Sequence, residues 1–218
     1  MKIVLFDIDY TLYDVSHFDK NFYKKLEKIV NIDEDIIRKK SIEFIKQVIE
    51  EENYLNIDKY LNLLLEFFGE HKKKKDVKKI LYNELFFKNG FYQEVEKTLN
   101  YLKKIAKIGI FSQGDEEFQW AKIDQSGLKH FFDKNIIYIK HNKIQFTSFL
   151  KKKHANDEIF LVDDNPNVIF RVKDKMPYIF TIWIRRGKFA EMHKDIENFK
   201  PDAIIKNLTE TIDIVKNN

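Results

Sequence analysis

The chain has 218 residues, of which 44% are hydrophobic, and its 39 lysines and arginines against 35 aspartates and glutamates give a formal net charge of +4. This length is enough for one domain with a sizeable core, or for one domain that carries an insertion. The absence of cysteine excludes a disulfide scaffold and any thiolate metal site, and no apolar run approaches the roughly 20 residues of a membrane span.

The first predicted element is a strand at residues 3–6, where four consecutive apolar residues are typical of a buried strand in a parallel sheet. Asp7 and Asp9 follow it directly. Carboxylates in this position stand at the edge where open α/β sheets bind ligands. Two such close acids persist together when a cation bridges them or when they do different jobs, and their oxygens suit Mg²⁺. An isolated Asp-x-Asp more often merely ends a strand.

The next segment, residues 14–89, contains no convincing strand. Its apolar residues recur at spacings of three and four, which predicts amphipathic helices packed as a small bundle. Asp33 and Asp58 are predicted helix starts, and Gly69 is a predicted stop. The apolar residues with this spacing are Phe18, Phe22, Leu26 and Ile29, then Ile36, Ile37, Ile42, Ile45 and Ile49, then Tyr60, Leu63, Leu64 and Phe67.

From about residue 90 the pattern changes to short apolar runs that alternate with helices. This alternation predicts an α/β fold, a doubly wound parallel sheet with helices on both faces. The predicted strands are residues 108–111, 136–139, 159–162, 178–184 and 203–205. The predicted helices are residues 95–105, 116–126, 146–153, 167–173 and 208–215.

Two of these later strands also end in polar side chains. Ser112 and Gln113 end one of them, and a hydroxyl with neighbouring backbone N–H groups can hold phosphate oxygens. Asp163 and Asp164 end another, and they can complete a metal site that Asp7 begins. Three apolar strands that each end in oxygen-bearing residues form a constellation, which chance explains poorly.

With these residues in this order, the sequence resembles the haloacid dehalogenase superfamily, in its phosphatase branch, over nearly the whole chain. The first motif of that family reads Asp-x-Asp-x-Thr and is matched by Asp7, Asp9 and Thr11. The second motif, a serine or threonine at a strand end, is matched by Ser112. The fourth motif, an acidic pair, is matched by residues 163–164.

The third motif of the family is a lysine ahead of the acidic pair, and two lysines compete for it. Family members often carry Lys-Pro-Asp-Pro followed by an aromatic residue, but no proline is present in this part of the chain. Lys143 lies at the better distance from Phe149 and is therefore preferred to Lys140. The alternative for either residue is a solvated surface lysine.

The resemblance implies a Rossmann-like core of residues 1–13 and 90–218, with residues 14–89 inserted as a helical type-one cap that closes over small substrates. It also implies a Mg²⁺-dependent phosphatase that forms an aspartyl-phosphate. Dehalogenases of the family lack the second aspartate, so Asp9 favours phosphoryl transfer, because an alkoxide leaving group needs a proton and a halide does not.

The resemblance also assigns roles to the motif residues. Asp7 is the expected nucleophile, Asp9 the expected general acid and base, and Thr11 is expected to order the loop. The expected Mg²⁺ ligands are Asp7, the main-chain carbonyl of Asp9, Asp164, and Asp163 in or next to the first shell. The expected phosphate-binding residues are Ser112, Gln113 and Lys143. Tyr10 and Tyr13 either contact substrate or pack at the cap hinge, and Arg185 and Arg186 either reach an anion or lie in a solvated turn.

The expected partner is a small phosphorylated molecule. Residues 72–75 and 151–153 are lysine-dense, but they lack interleaved aromatic residues, so no nucleic acid partner is expected. The apolar run at residues 1–6 is too short for a signal peptide, which predicts a cytoplasmic location without membrane association. The oligomeric state stays open. The alternative functions are a phosphomutase of the same family and a protein that binds a phosphorylated ligand or a partner without turnover.

Overall fold

A computed structural model of the chain describes residues 1–186, 190 and 196–218. The strands within these residues are β1 (Lys2–Phe6), β2 (Lys107–Gln113), β3 (Ile137–Lys140), β4 (Glu158–Asp163), β5 (Phe180–Ile184) and β6 (Ala203–Ile205). They form one sheet in the order β3-β2-β1-β4-β5-β6, and every neighbouring pair is parallel. The predicted fold class, a doubly wound parallel sheet, is confirmed.

Ten α-helices lie within the described residues. Those that follow β1 are α1 (Val15–Val30), α2 (Glu34–Glu52), α3 (Ile57–Phe67), α4 (Lys74–Leu81), α5 (Glu84–Lys88) and α6 (Val95–Leu102). Those that follow β2 are α7 (Glu116–Gln125), α8 (Lys143–Lys153), α9 (Pro166–Lys175) and α10 (Glu210–Asn217). Short 3₁₀ turns occupy His71–Lys73, Leu128–Phe131 and Lys134–Ile136. None of the helices in the described ranges is long and apolar enough to cross a membrane.

The sheet is buried on both faces because its strands are apolar on both faces. In β1, Ile3 and Leu5 pack into one layer of core, whereas Val4 and Phe6 pack into the other. The first layer includes buried residues of α8 and α9, and the second includes buried residues of α6, α7 and α10. The second layer continues without a break into the interior of helices α1–α5.

Helix α2 is rotated relative to the face that the isoleucine spacing predicts. Ile42 and Ile49 are 68% and 44% exposed, and Ile36 is 53% exposed. The buried stripe instead follows Ile37, Ser41 and Val48, because five isoleucines at these positions cannot all face one side of a helix. The small Ser41 admits Tyr60 of α3, whose hydroxyl hydrogen-bonds Ser41 Oγ at 3.0 Å.

The predicted helix boundaries in this segment are partly correct. Asp33 caps α2 by accepting a hydrogen bond from the N–H of Asp35 at 2.9 Å. The prediction that α3 starts at Asp58 is wrong by one residue, because Asn56 caps that helix and accepts from the N–H of Lys59 at 3.1 Å. Gly69 follows the end of α3 with a φ of +70°, a backbone conformation that favours glycine.

Substitution of Gly109 by alanine is expected to lower the free energy of unfolding by about 3 kcal/mol. Gly109 lies in β2, and a Cβ built there comes within 2.2 Å of the main-chain oxygen of Ile136. The chain that carries Ile136 must therefore move. Urea unfolding measures the effect, with Gly69→Ala as the comparison, because that position has open space and only an unfavourable φ. Equal losses for the two variants would contradict the steric explanation.

Candidate active site

Asp7, Ser112 and Asp163 meet at one edge of the sheet because each ends or follows a strand, and the strands are parallel. β1 lies between β2 and β4, so its end is central. Asp7 follows β1 directly and extends its pairing with β4, because its N–H donates to the carbonyl of Val162 at 2.9 Å. This carboxyl edge is where open α/β sheets bind ligands.

Lys143 joins two of these carboxylates. Its Nζ lies 2.5 Å from Asp7 Oδ1 and 2.6 Å from Asp163 Oδ2, and its side chain is 2% exposed. The lysine is aimed inward because α8 begins at this residue. Asn142 caps the helix by accepting hydrogen bonds from the N–H groups of Ile144 and Gln145 at 3.0 and 3.2 Å.

The structure therefore separates the two lysines that compete in the sequence. Lys140 ends β3 and lies over the ring of Phe146, with its Nζ 5.1 Å from the ring centroid. Lys143 is the lysine among the acidic side chains. The predicted helix start at residue 146 is three residues too late, because Asn142 caps the helix and α8 begins at Lys143.

Burial and close charged neighbours shift the pKa values of the groups at this edge. Burial alone would lower the pKa of Lys143, but the carboxylates of Asp163 and Asp7 raise it above its usual value. Burial raises the pKa of Asp7 to about 7, since the attraction of Lys143 is countered by the charge of Asp163. Burial, Asp163 and Asp7 likewise hold the pKa of Asp164 well above its usual range. One lysine therefore faces three close carboxyl groups, those of Asp7, Asp163 and Asp164.

Ser112 presents a buried hydroxyl at this edge. Its residue is 1% exposed, and its Oγ has no hydrogen-bond partner in the part of the chain that the structure describes. Gln113 is engaged instead: its Nε2 donates to the carbonyl of Asn53 at 2.7 Å, and its Oε1 accepts from the N–H of Lys143 at 3.3 Å. Ser112 thus retains an open hydrogen-bonding group, whereas the side chain of Gln113 links the sheet edge to the end of α2.

The carboxylate of Asp9 is held by two side chains of α7. Its Oδ1 lies 2.6 Å from Lys122 Nζ, and its Oδ2 accepts from Gln119 Nε2 at 2.8 Å. Both partners are buried, with exposures of 4% and 3%. Sequence reasoning missed them. The available signal was a lysine and a glutamine three positions apart on a helix that directly follows the Ser112 strand end.

The structure shows the surroundings of Tyr13 and Arg186, for which the sequence leaves two alternatives each. Tyr13 is fully buried, and its hydroxyl donates to the carbonyl of Phe86 at 3.0 Å, which favours packing over contact with a substrate. Arg186 is ion-paired with Glu94, and its Nε donates to the carbonyl of Tyr10 at 3.3 Å. Arg186 therefore hydrogen-bonds the loop after β1 and does not extend into solvent.

A cavity of about 190 Å³ opens beside this cluster. Five of its lining residues carry amide side chains, and Arg171 of α9 is its charged member. Two lining residues, Asn142 and Asn165, directly adjoin Lys143 and Asp164 in the chain. Amides and an arginine suit hydroxyl groups and anions. The lining residues are Asn53, Gln113, Asn142, Ile144, Asn165, Asn167, Val168 and Arg171.

The donor set fits a hard divalent cation, although no three acidic or imidazole side chains among the described residues form a ready-made metal cluster. Mg²⁺ does not need such a cluster, because it keeps several waters and takes one or two carboxylates together with substrate phosphate. The carboxyl groups outnumber the neighbouring ammonium groups, and burial together with the charge of Asp163 raises the pKa of Asp7 and of Asp164. A bound cation would offset this repulsion. The residues that would hold Mg²⁺ are Asp7, Asp9, Asp163 and Asp164.

Comparison with known proteins places the chain among hydrolases. The sequence profile of the haloacid dehalogenase-like hydrolases matches residues 1–169. A glyceraldehyde 3-phosphate phosphatase of Methanopyrus kandleri is 25% identical over 229 residues, covering 99% of this chain and 97% of that protein. One of Methanothermobacter thermautotrophicus is 30% identical over 138 residues, or 61% of each chain. A crystal structure described as a haloacid dehalogenase-like hydrolase, from Burkholderia xenovorans, has the same fold, with a TM-score of 0.82, 19% identity and 97% of both chains covered.

Proposed function

The chain belongs to the haloacid dehalogenase-like hydrolase family, and we propose that it is a Mg²⁺-dependent phosphatase that acts on a small phosphomonoester through an aspartyl-phosphate. One observation carries the proposal. Lys143 bridges Asp7 and Asp163 at the sheet edge where Ser112, near the end of β2, carries a buried hydroxyl without a hydrogen-bond partner among the described residues. A second aspartate, Asp9, stands two residues from Asp7 and is the group that would give the departing alcohol a proton.

The proposed reaction has two steps. A carboxylate oxygen of Asp7 forms a bond to phosphorus while the bond to the alcohol oxygen breaks and Asp9 gives that oxygen a proton. Water then forms a bond to phosphorus while the bond to Asp7 breaks, and Asp9 takes the proton from the water. Lys143 and Ser112 bind the non-bridging phosphate oxygens, which offsets the charge that repels a carboxylate nucleophile.

Mg²⁺ would supply the remaining positive charge and would polarise the phosphoryl group. Asp7, Asp163 and Asp164 would hold it, together with the main-chain carbonyl of Asp9. Without it, burial and mutual repulsion keep the pKa of Asp7 and of Asp164 high, which opposes the ionised form that a nucleophile must have.

The proposed substrate is a short hydroxylated phosphomonoester, and glyceraldehyde 3-phosphate is the first candidate. Relatives with that activity in their names align with nearly the full length of this chain. The cavity of about 190 Å³ beside the cluster suits a few carbon atoms with hydroxyl or carbonyl groups, which its amides can bind.

Residues 14–89 are proposed as the cap over this site. Three contacts bring the end of α2 and the start of α3 against the sheet edge. Asn53 accepts from Gln113, the N–H of Ile57 donates to Asp115 Oδ2 at 3.4 Å, and the ring of Tyr54 stacks on His141 with centroids 3.9 Å apart. A lid that excludes water from phosphorus also selects the leaving group. The cytoplasmic location predicted from the sequence stays a proposal.

We expect phosphate release from a panel of phosphomonoesters in the presence of Mg²⁺, with three-carbon esters as the fastest substrates. The panel contains glyceraldehyde 3-phosphate, glycerol 3-phosphate, hexose phosphates and nucleoside monophosphates, and released phosphate is measured. A chelator is expected to abolish release, and added Mg²⁺ to restore it. An isomerised ester that needs a bisphosphate would indicate a mutase. Thermal stabilisation by these esters without any product would indicate a binding protein.

A further inference from the structure

Two buried side chains of α7 hold the carboxylate of Asp9 and have no part in the mechanism above. We infer that Lys122, assisted by Gln119, is a positioning residue that fixes the carboxylate of Asp9 and supplies the cation for its proton transfers. The kinetic consequence of this inference rests on the proposed phosphatase function. The contacts themselves do not.

Burial separates Lys122 from the many solvated lysines of the chain. Lys122 and Lys143 are the lysines that are buried in the part of the chain that the structure describes. Each is paired with one aspartate of the Asp-x-Asp motif, Lys143 with Asp7 and Lys122 with Asp9. A buried ammonium group is costly unless it is paired and hydrogen-bonded. The pairing with Asp9 therefore accounts for the position of Lys122.

The two donors on α7 leave the Asp9 carboxylate little freedom. Lys122 contacts Oδ1 at 2.6 Å, and Gln119 contacts Oδ2 at 2.8 Å, so each oxygen has its own donor. Gln119 is held in turn, because its Nε2 also contacts the main-chain oxygen of Gln113 at 3.3 Å. Gly114 leaves the space for this amide, since a Cβ there would approach Gln119 Nε2 to 2.9 Å.

Helix α7 is itself firmly placed, so it can serve as the support for Asp9. Asp115 caps it by accepting from the N–H of Phe118 at 3.1 Å. The ring of Phe118 lies edge-on to Phe18 of α1 and to Phe87 of α5, with centroids 5.6 and 5.9 Å apart. Lys122 Nζ lies 4.5 Å from the centroid of the same Phe118 ring. The position of Asp9 thus depends on a helix that is packed against the proposed cap.

The contacts match the carboxylate form of Asp9. That form remains after Asp9 has passed its proton to the departing alcohol, and it is also the form that takes a proton from water. The side-chain nitrogen of Lys122 lies against the carboxylate on which this charge appears. An alkyl ester depends on this proton transfer, whereas an aryl ester with an acidic phenol leaves without it.

The test compares two esters, glycerol 3-phosphate and p-nitrophenyl phosphate, with Mg²⁺ present. Lys122→Met is expected to lower kcat/KM for glycerol 3-phosphate about 100-fold and for p-nitrophenyl phosphate less than about threefold, since general acid catalysis contributes factors of this size. Lys122→Arg, which keeps the charge, is expected to recover part of the loss, and Gln119→Leu to show a smaller loss with the same dependence on the ester. Lys129→Met is the matched control, because Lys129 makes a pair of the same 2.6 Å length with Asp124 at the surface.

A double variant separates positioning from a general effect on folding. If Lys122 acts through Asp9, Lys122→Met is expected to cause no further loss of kcat/KM in an Asp9→Asn background. Equal losses for the two esters, or full additivity with Asp9→Asn, would overturn the inference.

If the wild-type protein hydrolyses neither ester, the phosphatase proposal fails, and the crystal structure of Lys122→Met then decides the positioning role. An Asp9 carboxylate that leaves its place in that structure supports the inference, and one that keeps its place overturns it.

Discussion

Asp7→Asn is expected to lower kcat for phosphomonoester hydrolysis about 10⁴-fold or more, to the background of the assay. An asparagine amide fits the same space but has no anionic oxygen that can form a bond to phosphorus. Phosphate release in single-substrate assays measures the loss. Asp76→Asn is the control, because Asp76 is an aspartate of α4 that pairs with Lys79 at the surface.

The same variant is expected to be no less stable than the wild type when a chelator is present. Burial raises the pKa of Asp7 from 3.8 to about 7. A folded-state pKa above the unfolded one means that ionised Asp7 opposes folding, and this cost grows as pH rises from about 4 to about 7. Asparagine removes that cost, so the loss of stability over this pH range should be smaller. Retained turnover would contradict the assignment of Asp7 as nucleophile. Unfolding of the variant under the same conditions would contradict the expected stability and would attribute the loss of activity to the fold.

Lys143→Met is expected to lower kcat/KM about 10³-fold, because a donor aimed at the charged phosphoryl oxygens is removed. It is also expected to destabilise the protein by about 3 to 5 kcal/mol, since its removal leaves buried carboxylates without their cation. Lys143 pairs with both Asp7 and Asp163 and is almost completely buried. This combined loss distinguishes it from Asp7→Asn, which is expected to lose activity alone.

Lys140→Met is the matched control for Lys143→Met, because Lys140 lies only three residues earlier and contacts the ring of Phe146 instead of an acid. Kinetics and urea unfolding of both variants measure the contrast. If Lys140→Met lost activity while Lys143→Met kept it, the assignment of Lys143 as the phosphate-binding lysine would be wrong and Lys140 would take that role. An equal loss in both would show that the decrease comes from net charge and not from the position of Lys143.

The sequence predicts the sheet well because its strands are continuous apolar runs, and these runs end at the residues that form the site. The runs at residues 3–6 and 159–162 lie within β1 and β4. Parallel strands place their carboxyl ends at one edge, so the convergence of Asp7, Ser112 and Asp163 follows from the pattern.

The parts that the sequence does not predict depend on packing between distant segments. In the sequence, Lys122 and Gln119 look like ordinary polar residues of a helix. Their role depends on the packing of α7 beside Asp9, which lies 113 positions from Lys122 and 110 positions from Gln119 in the chain. The orientation of α2 has the same origin, because contact with α3 decides which of its isoleucines are buried. Lys143 faces inward because of the cap at Asn142, a local signal that the sequence does contain.

The central claim is that Asp7 forms a covalent bond to the transferred phosphoryl group. The most direct test is acid quenching during turnover of the best substrate, followed by mass spectrometry of the peptide that contains Asp7. We expect the mass of one phosphoryl group on that peptide in the wild-type protein with Mg²⁺, and none in Asp7→Asn or with a chelator. Rapid phosphate release with no phosphorylated peptide at any quench time, or a phosphoryl group on another residue, would contradict the mechanism.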